Sequence, residues 1–147
     1  MKYTRDIIID RPRAEVVALF DNPSVLAEWQ QGFVSMSPLS GDVQGEGRQS
    51  HLVYDMGKRR IEMVETVVEH DLPYRVVATY ETAGVWNRVE NHFEEIEPTK
   101  TRWLSHVEFR FDNFMMKLMG SLMPKMFQKQ TETYMKDFKA FVEKRAA

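Results

Sequence analysis

NFMMKLMGSLMPKMFQKQTETYMKDFKAFVEKR, residues 113–145, is the longest stretch with helical periodicity in this 147-residue chain. Apolar residues recur at Met119, Met123, Met126/Phe127, Tyr134, Phe138 and Phe141/Val142. That is the three-to-four spacing of one buried helix face. Gln130 interrupts it. Read as a single helix, the stretch is about 48 Å long at ~1.5 Å per residue. No short strand covers such a face; a wide, curved sheet does. Pro124 predicts a kink, because its ring clashes with the carbonyl of Gly120 and removes one ladder bond. Tyr134 to Val142 then reads as the anchored half. The Met-rich turn around Gly120-Ser121 reads as a looser half able to gate what lies beneath.

Upstream of this helix the chain reads as a meander. Tyr3 to Asp10 is a strand, and its Ile7-Ile8-Ile9 run predicts cover on both faces, or at least good packing. Asp10 reads as the N-cap of a short helix, with Pro12 in its first turn. That helix carries Ala14, Val16/Val17 and Leu19/Phe20. A second, from Pro23 to Gln30, turns Val25, Leu26 and Trp29 inward, and Gly32 releases the chain. Six strands follow: 33–39, 48–54, 59–70, 74–81, 85–96 and 100–111. Turn clusters at Ser40-Gly41-Asp42, Gly45-Glu46-Gly47, Asp55-Met56-Gly57-Lys58, Asp71-Leu72-Pro73, Ala83-Gly84 and Glu97-Pro98-Thr99 separate them. Short turns favour a single antiparallel sheet.

Charge sets the register of the last hairpin. With Ile96 opposite Lys100, Glu94 faces Arg102, Glu90 faces His106 and Arg88 faces Glu108. The other face then pairs Phe93 with Trp103, Asn91 with Ser105, Val89 with Val107 and Asn87 with Phe109. A shift of two residues sets Arg88 against Arg110 and Glu90 against Glu108, each costing something like the ~0.2–1 kcal/mol that opposite charges contribute. The first register wins. It leaves charges outside, and Val, Phe and Trp inside with two Asn and one Ser.

The bulk properties narrow the function classes. Residues 1–147 read as one domain with a real core. A net charge of −2 gives no electrostatic reason to expect nucleic acid. Cysteine is absent, so there is no disulfide framework or thiol chemistry. The N-terminus has no apolar signal region, and no apolar run approaches a transmembrane helix. These features predict a cytoplasmic protein, a monomer or weak homodimer. The four histidines are scattered without ligand spacing, so no metal is expected. No G-x-S-x-G, G-x-G-x-x-G or Walker loop appears, and no cofactor is expected.

The order of strand, two short helices, six antiparallel strands and one long helix, with Ile9-Asp10-Arg11-Pro12 leading into Glu15-Val16-Val17-Ala18-Leu19-Phe20 and then Trp29, resembles the SRPBCC superfamily. That group includes START-like lipid-binding domains, polyketide cyclase/dehydrase-like proteins, the birch-pollen-allergen type and Hsp90-ATPase-activator homologues. The stretch from Val67 to Arg75 is similar to its usual link between strands. The resemblance implies an α+β helix-grip fold: a curved sheet of about seven strands wrapped around the C-terminal helix, with two short helices between strands 1 and 2. It also implies a cavity between sheet and helix that holds small apolar or amphipathic molecules. No short motif fixes the catalytic residues of the cyclases, and none is carried over.

The residues expected at that cavity are Trp29, Tyr54, Tyr80, Asn87, Asn91, Trp103, Ser105, Met119, Met123, Phe127 and Gln130. Asn87, Asn91 and Ser105 sit on the inward face, where an unpaired amide costs roughly 1–3 kcal/mol. They either bond a ligand or bond one another across the hairpin. Methionines conform to varied ligand shapes or simply fill a core. Gln130 points into the cavity or lies at its edge. Lys58-Arg59-Arg60 is a hairpin tip that attracts an anionic head group or is merely solvated. Glu132/Lys136 and Lys139/Glu143 are i,i+4 pairs expected on the solvent face. Three functions fit: a carrier, sensor or sequestering protein for a small ligand; a cyclase or dehydratase on a polyketide-like substrate; or an Hsp90-activator-like interaction module with a filled interior. The inward set is almost entirely neutral, which weighs against the enzyme.

Overall fold

The computed structural model of the chain describes residues 1–40 and 45–145. Seven strands form one antiparallel sheet: β1 (Lys2–Ile9), β2 (Phe33–Pro38), β3 (Gln49–Met56), β4 (Arg59–Asp71), β5 (Arg75–Thr82), β6 (Val85–Glu97) and β7 (Lys100–Phe111). Their order is β1-β7-β6-β5-β4-β3-β2, so the meander is intact and β1 closes onto the last strand. Between β1 and β2 lie α1 (Arg13–Phe20), a 3₁₀ turn (Pro23–Val25) and α2 (Leu26–Trp29). The C-terminal segment forms α3 (Phe114–Leu122) and α4 (Pro124–Arg145). This is the helix-grip architecture: a twisted sheet curls, and the helix fills its concave side. The expected Ser40-Gly41-Asp42 turn extends outside the described residues.

The β6–β7 register follows the charge argument from Glu94↔Arg102 through Asn87↔Phe109. It departs only at the tip. A bulge between Glu95 and Glu97 sets Glu97, not Ile96, opposite Lys100, and Ile96 is left 48% exposed.

Two local expectations give way. β1 is not covered on both faces: its exposure alternates, and Ile8 is 38% exposed while Ile9 is sealed. Asp10 does not cap α1. Pro12 holds the N-cap position, with no side-chain cap bond. Instead Glu143 reaches across from α4 to accept from the Asp10 backbone N–H at 2.8 Å.

The long helix is two helices. Met123 leaves helical geometry (φ −129°, ψ 47°), and Pro124 opens α4. Proline has no N–H to give to a helix ladder, and its fixed φ suits a first turn. The chain uses it to start a new helix rather than to bend an old one. The 22-residue α4 spans about 33 Å at ~1.5 Å per residue.

Side chains strap α4 to β1. Tyr3 Oη donates to the Phe127 carbonyl at 3.1 Å and lies 2.7 Å from Thr131 Oγ1. Arg5 donates to Glu132 (2.9 Å) and Gln128 (2.7 Å). Lys139 donates to the Ile8 carbonyl (2.7 Å) and to Glu143 (2.5 Å). The acidic and basic residues of α4 are therefore not idle surface charge. Glu132 pairs with Arg5 rather than Lys136, and the Lys139–Glu143 pair grips the end of β1.

Candidate functional site

The concave face can be read in rows across the central strands, because side chains alternate and each residue has a fixed opposite. The first row is Phe93 and Trp103, with Ile7 beyond. The second is Val76, Asn91 and Ser105. The third is Val67, Ala78, Val89 and Val107. The fourth is Glu65, Tyr80, Asn87 and Phe109. The first row is bulky, and rings from other elements close on it. Phe20 of α1 packs edge-on to Phe93, Trp103 and Phe138 at 5.0, 5.4 and 5.7 Å between centroids. Trp29 of α2 packs on Phe138 at 4.8 Å. The middle rows carry small side chains, and α4 passes over them without filling the space. The result is a pocket of about 900 Å³ between sheet and α4.

Nine of the eleven residues expected at the site line this pocket: Trp29, Tyr54, Tyr80, Asn87, Asn91, Trp103, Ser105, Phe127 and Gln130. Gln130 lies at its edge, in an exposed position. Met119 and Met123 do not line it. They are 40% and 47% exposed, because the break before Pro124 carries α3 off the sheet's concave side. Met126 takes their place in the lining, with Met36, Met56 and Met63 from β2, β3 and β4. The Lys58-Arg59-Arg60 tip is also outside; Arg60 is held by Asp55 at 2.9 Å.

The polar residues are used in part and left open in part. Asn91 Oδ1 accepts from the buried Trp103 Nε1–H at 2.8 Å. Asn87 Nδ2 donates to the Glu108 carbonyl at 2.9 Å. Neither bonds the other or Ser105. The opposite end of each amide has no partner among the described residues, yet neither is sealed from the pocket space. A relay crosses the opening from strand to helix: Tyr54 Oη donates to Gln30 Oε1 (2.8 Å), and Gln30 Nε2 donates to Tyr134 Oη (2.9 Å). The indole N–H of Trp29 is buried, with no acceptor among the described residues.

Charged side chains line this pocket too, contrary to the neutral set expected from sequence: Asp21, Arg48, Lys129 and Asp137, and Glu65 on the sheet floor. Glu65 lies opposite Tyr80 on β4 and β5. Burial raises the Glu65 carboxyl above the usual range, against the opposing pull of Tyr80 and of Arg48, 4.0 Å away. Burial likewise raises the phenols of Tyr54, Tyr80 and Tyr134, so all three stay neutral donors well beyond neutral pH. Glu65 was legible in principle. Ile61, Met63, Glu65 and Val67 alternate on one face of β4, so the apolar residues around it mark the inward side. Gln30 carries no local signal, since its place depends on how α2 meets β2.

A smaller cleft of about 450 Å³, lined by Asp21, Pro23, Gly45, Arg48 and His70, adjoins this pocket and shares Asp21, Pro23 and Arg48 with it. No described helix is long and apolar enough to cross a membrane.

Residues 1–143 match the family model described as polyketide cyclase / dehydrase and lipid transport. The chain belongs to this family. No curated protein sequence matches it. Among solved structures, TTHA0849 from Thermus thermophilus superposes with a TM-score of 0.80 at 16% identity, covering 100% of both chains. The Zhui aromatase/cyclase from Streptomyces sp. R1128 gives 0.81 at 10% identity, covering 100% of this chain and 96% of its own. A norcoclaurine synthase point mutant from Thalictrum flavum, in complex with a transition-state analogue, gives 0.74 at 11% identity, again covering 100% and 96%. At these identities the family likeness to solved structures is one of fold.

Proposed function

We propose that this protein binds one small hydrophobic or amphipathic molecule between the sheet and α4, as a carrier, sensor or sequestering protein. The observation that carries this reading is the row of Val67, Ala78, Val89 and Val107, small side chains at the centre of a sheet whose Phe93–Trp103 row, two rows away, is packed solid. A pocket of ~300–1,000 Å³ with an apolar wall and a few polar groups suits a drug-sized ligand. The free amide ends of Asn87 and Asn91 and the Ser105 hydroxyl offer bonds to a ligand's polar end. Native mass spectrometry of freshly purified protein tests this. A lipid-sized non-covalent adduct supports the reading. An adduct-free protein that also takes up no long-chain alcohol or fatty acid contradicts it.

A cyclase or dehydratase acting in the same pocket is a second reading, and Glu65 is the observation that favours it. A carboxyl with a raised pKa beside a neutral phenol is a proton-transfer pair suited to chemistry next to a carbonyl. Turnover of a poly-β-keto substrate that falls at least ~100-fold in both Glu65→Gln and Tyr80→Phe would establish it. The interaction-module reading expects a filled interior, and an open volume of about 900 Å³ speaks against it.

A further inference from the structure

The helix that sequence periodicity placed over the pocket presents most of its apolar surface to solvent instead. In α3 one narrow stripe faces the protein. Gly120 is buried so tightly that an added Cβ would stand 2.6 Å from the Phe111 ring. Met116 lies one turn earlier on that stripe, beside Gly84. At about 100° per residue, Phe114, Leu118, Leu122 and Met115 fall together on the opposite side. They are 75%, 42%, 72% and 71% exposed. Met119, Met123 and Met126 extend the same apolar surface at 40–47% exposure. Isolated exposed apolar residues need no explanation, but seven along one elbow of the chain do.

Charge says what such a surface meets. Between Asp112 and Glu132 the chain has three lysines, Lys117, Lys125 and Lys129, and no carboxylate, although the whole protein is net negative. All three lysines are exposed. An apolar ridge flanked by exposed cations, with acidic residues kept away, is the pattern of a segment lying in the interface of an anionic bilayer. A second copy laid on the same face would bring the same lysines together, so self-association lacks complementary charge. The ridge is also continuous with the pocket, since Met126 and Lys129 belong to both.

We propose that the α3–α4 elbow is a docking surface for an anionic lipid bilayer, set beside the mouth of the pocket. Phe114, Met115, Leu118 and Leu122 enter the acyl boundary, and Lys117, Lys125 and Lys129 meet lipid phosphates. The proposal is independent of what the pocket holds. Vesicle binding requires no occupied pocket, so its failure leaves the ligand reading standing, and the reverse also holds.

Co-sedimentation of the full chain with vesicles tests it. One set is phosphatidylcholine alone, and the other contains phosphatidylcholine with phosphatidylglycerol. The expected result is partitioning onto the anionic vesicles, weakened by added salt. Each of Lys117→Gln, Lys125→Gln and Lys129→Gln lowers it about fivefold. Phe114→Ser with Leu122→Ser abolishes it. Both residues in that double variant are more than 70% exposed, so its melting temperature should match that of the parent. Binding to neither vesicle, or anionic binding that survives the double variant, overturns the proposal. So does a concentration-dependent dimer in sedimentation velocity that the same double variant dissolves.

Discussion

The two ends of the interior are built from the same elements and solved differently. At one end β6, β7, α1, α2 and α4 each contribute a ring: Phe93 stacks on Trp103, Phe20 packs edge-on to both and to Phe138, and Trp29 packs edge-on to Phe138. Phe138 and Val142 are fully sealed there, with Ile9 and Val16. Over the next two rows of the central strands the side chains are Val76, Asn91 and Ser105, then Ala78, Val89 and Val107, and the space under α4 stays open. Both ends bury apolar surface, but only the first converts it into dense packing. The closed end therefore carries stability, and the open end is free to carry recognition. The Asn91–Trp103 bond is the seam between them: its indole belongs to the packed end, and its amide opens onto the pocket.

That contrast can be broken at four points. The largest effect is at the centre of the ring cluster. Phe138→Ala should cost about 3–5 kcal/mol in urea unfolding, because it opens a void among atoms that have no room to relax. Phe127→Ala, beside the pocket, should cost roughly 1–2 kcal/mol, since one side of that ring already faces open space. Equal costs would mean that the two ends are not energetically distinct.

Next comes the seam. Asn91→Leu removes the acceptor of a Trp103 indole that is 1% exposed. Leaving that donor unpaired should cost about 1–3 kcal/mol, again by urea unfolding. An unchanged midpoint would mean that the indole finds another partner.

A smaller effect is expected from Glu65→Gln. Burial raises the Glu65 carboxyl in the folded protein, so the native state holds its proton more tightly than the unfolded chain does. Stability from this group is complete below the unfolded carboxyl value of about 4.3 and is lost as pH rises through the raised folded value. The neutral amide escapes that loss. Glu65→Gln should raise the melting temperature at pH 7 by about 2–4 °C, and the gain should vanish near pH 4. A gain that persists at low pH would assign it to packing rather than to charge.

The sequence made the fold legible where a repeat or a pairing constrained many residues at once. Cross-strand charge set the β6–β7 register almost to its tip, and six runs with short turns left one sheet topology. Periodicity failed where proline chemistry admits two outcomes. A proline inside an apolar pattern either bends a helix or begins one, and the choice is made by the sheet beneath: Phe111 takes Gly120 against its ring and carries α3 aside. The same event removed Met119 and Met123 from the expected lining. Within the sheet, the lining residues on β6 and β7 were readable from pairing alone. Glu65 is harder to read, because a carboxylate reads as outward unless the alternation of its neighbours is followed. Gln30 was not readable, since it reaches the Tyr54–Tyr134 relay through tertiary placement.

On the function proposed above, the small-residue rows of β5, β6 and β7 hold space for a ligand. The most direct measurement is the titration of an apolar fluorescent probe, an anilinonaphthalene sulfonate, into the parent protein and into Val89→Trp. Val89 sits between Ala78 and Val107 in the middle of the pocket floor. Its replacement by indole fills that floor without touching the ring cluster. Saturable one-to-one binding to the parent is expected, weakened at least ~30-fold in Val89→Trp, with the melting temperature changed by less than about 4 °C. Equal probe affinity for the two proteins would place the binding elsewhere and overturn the pocket reading.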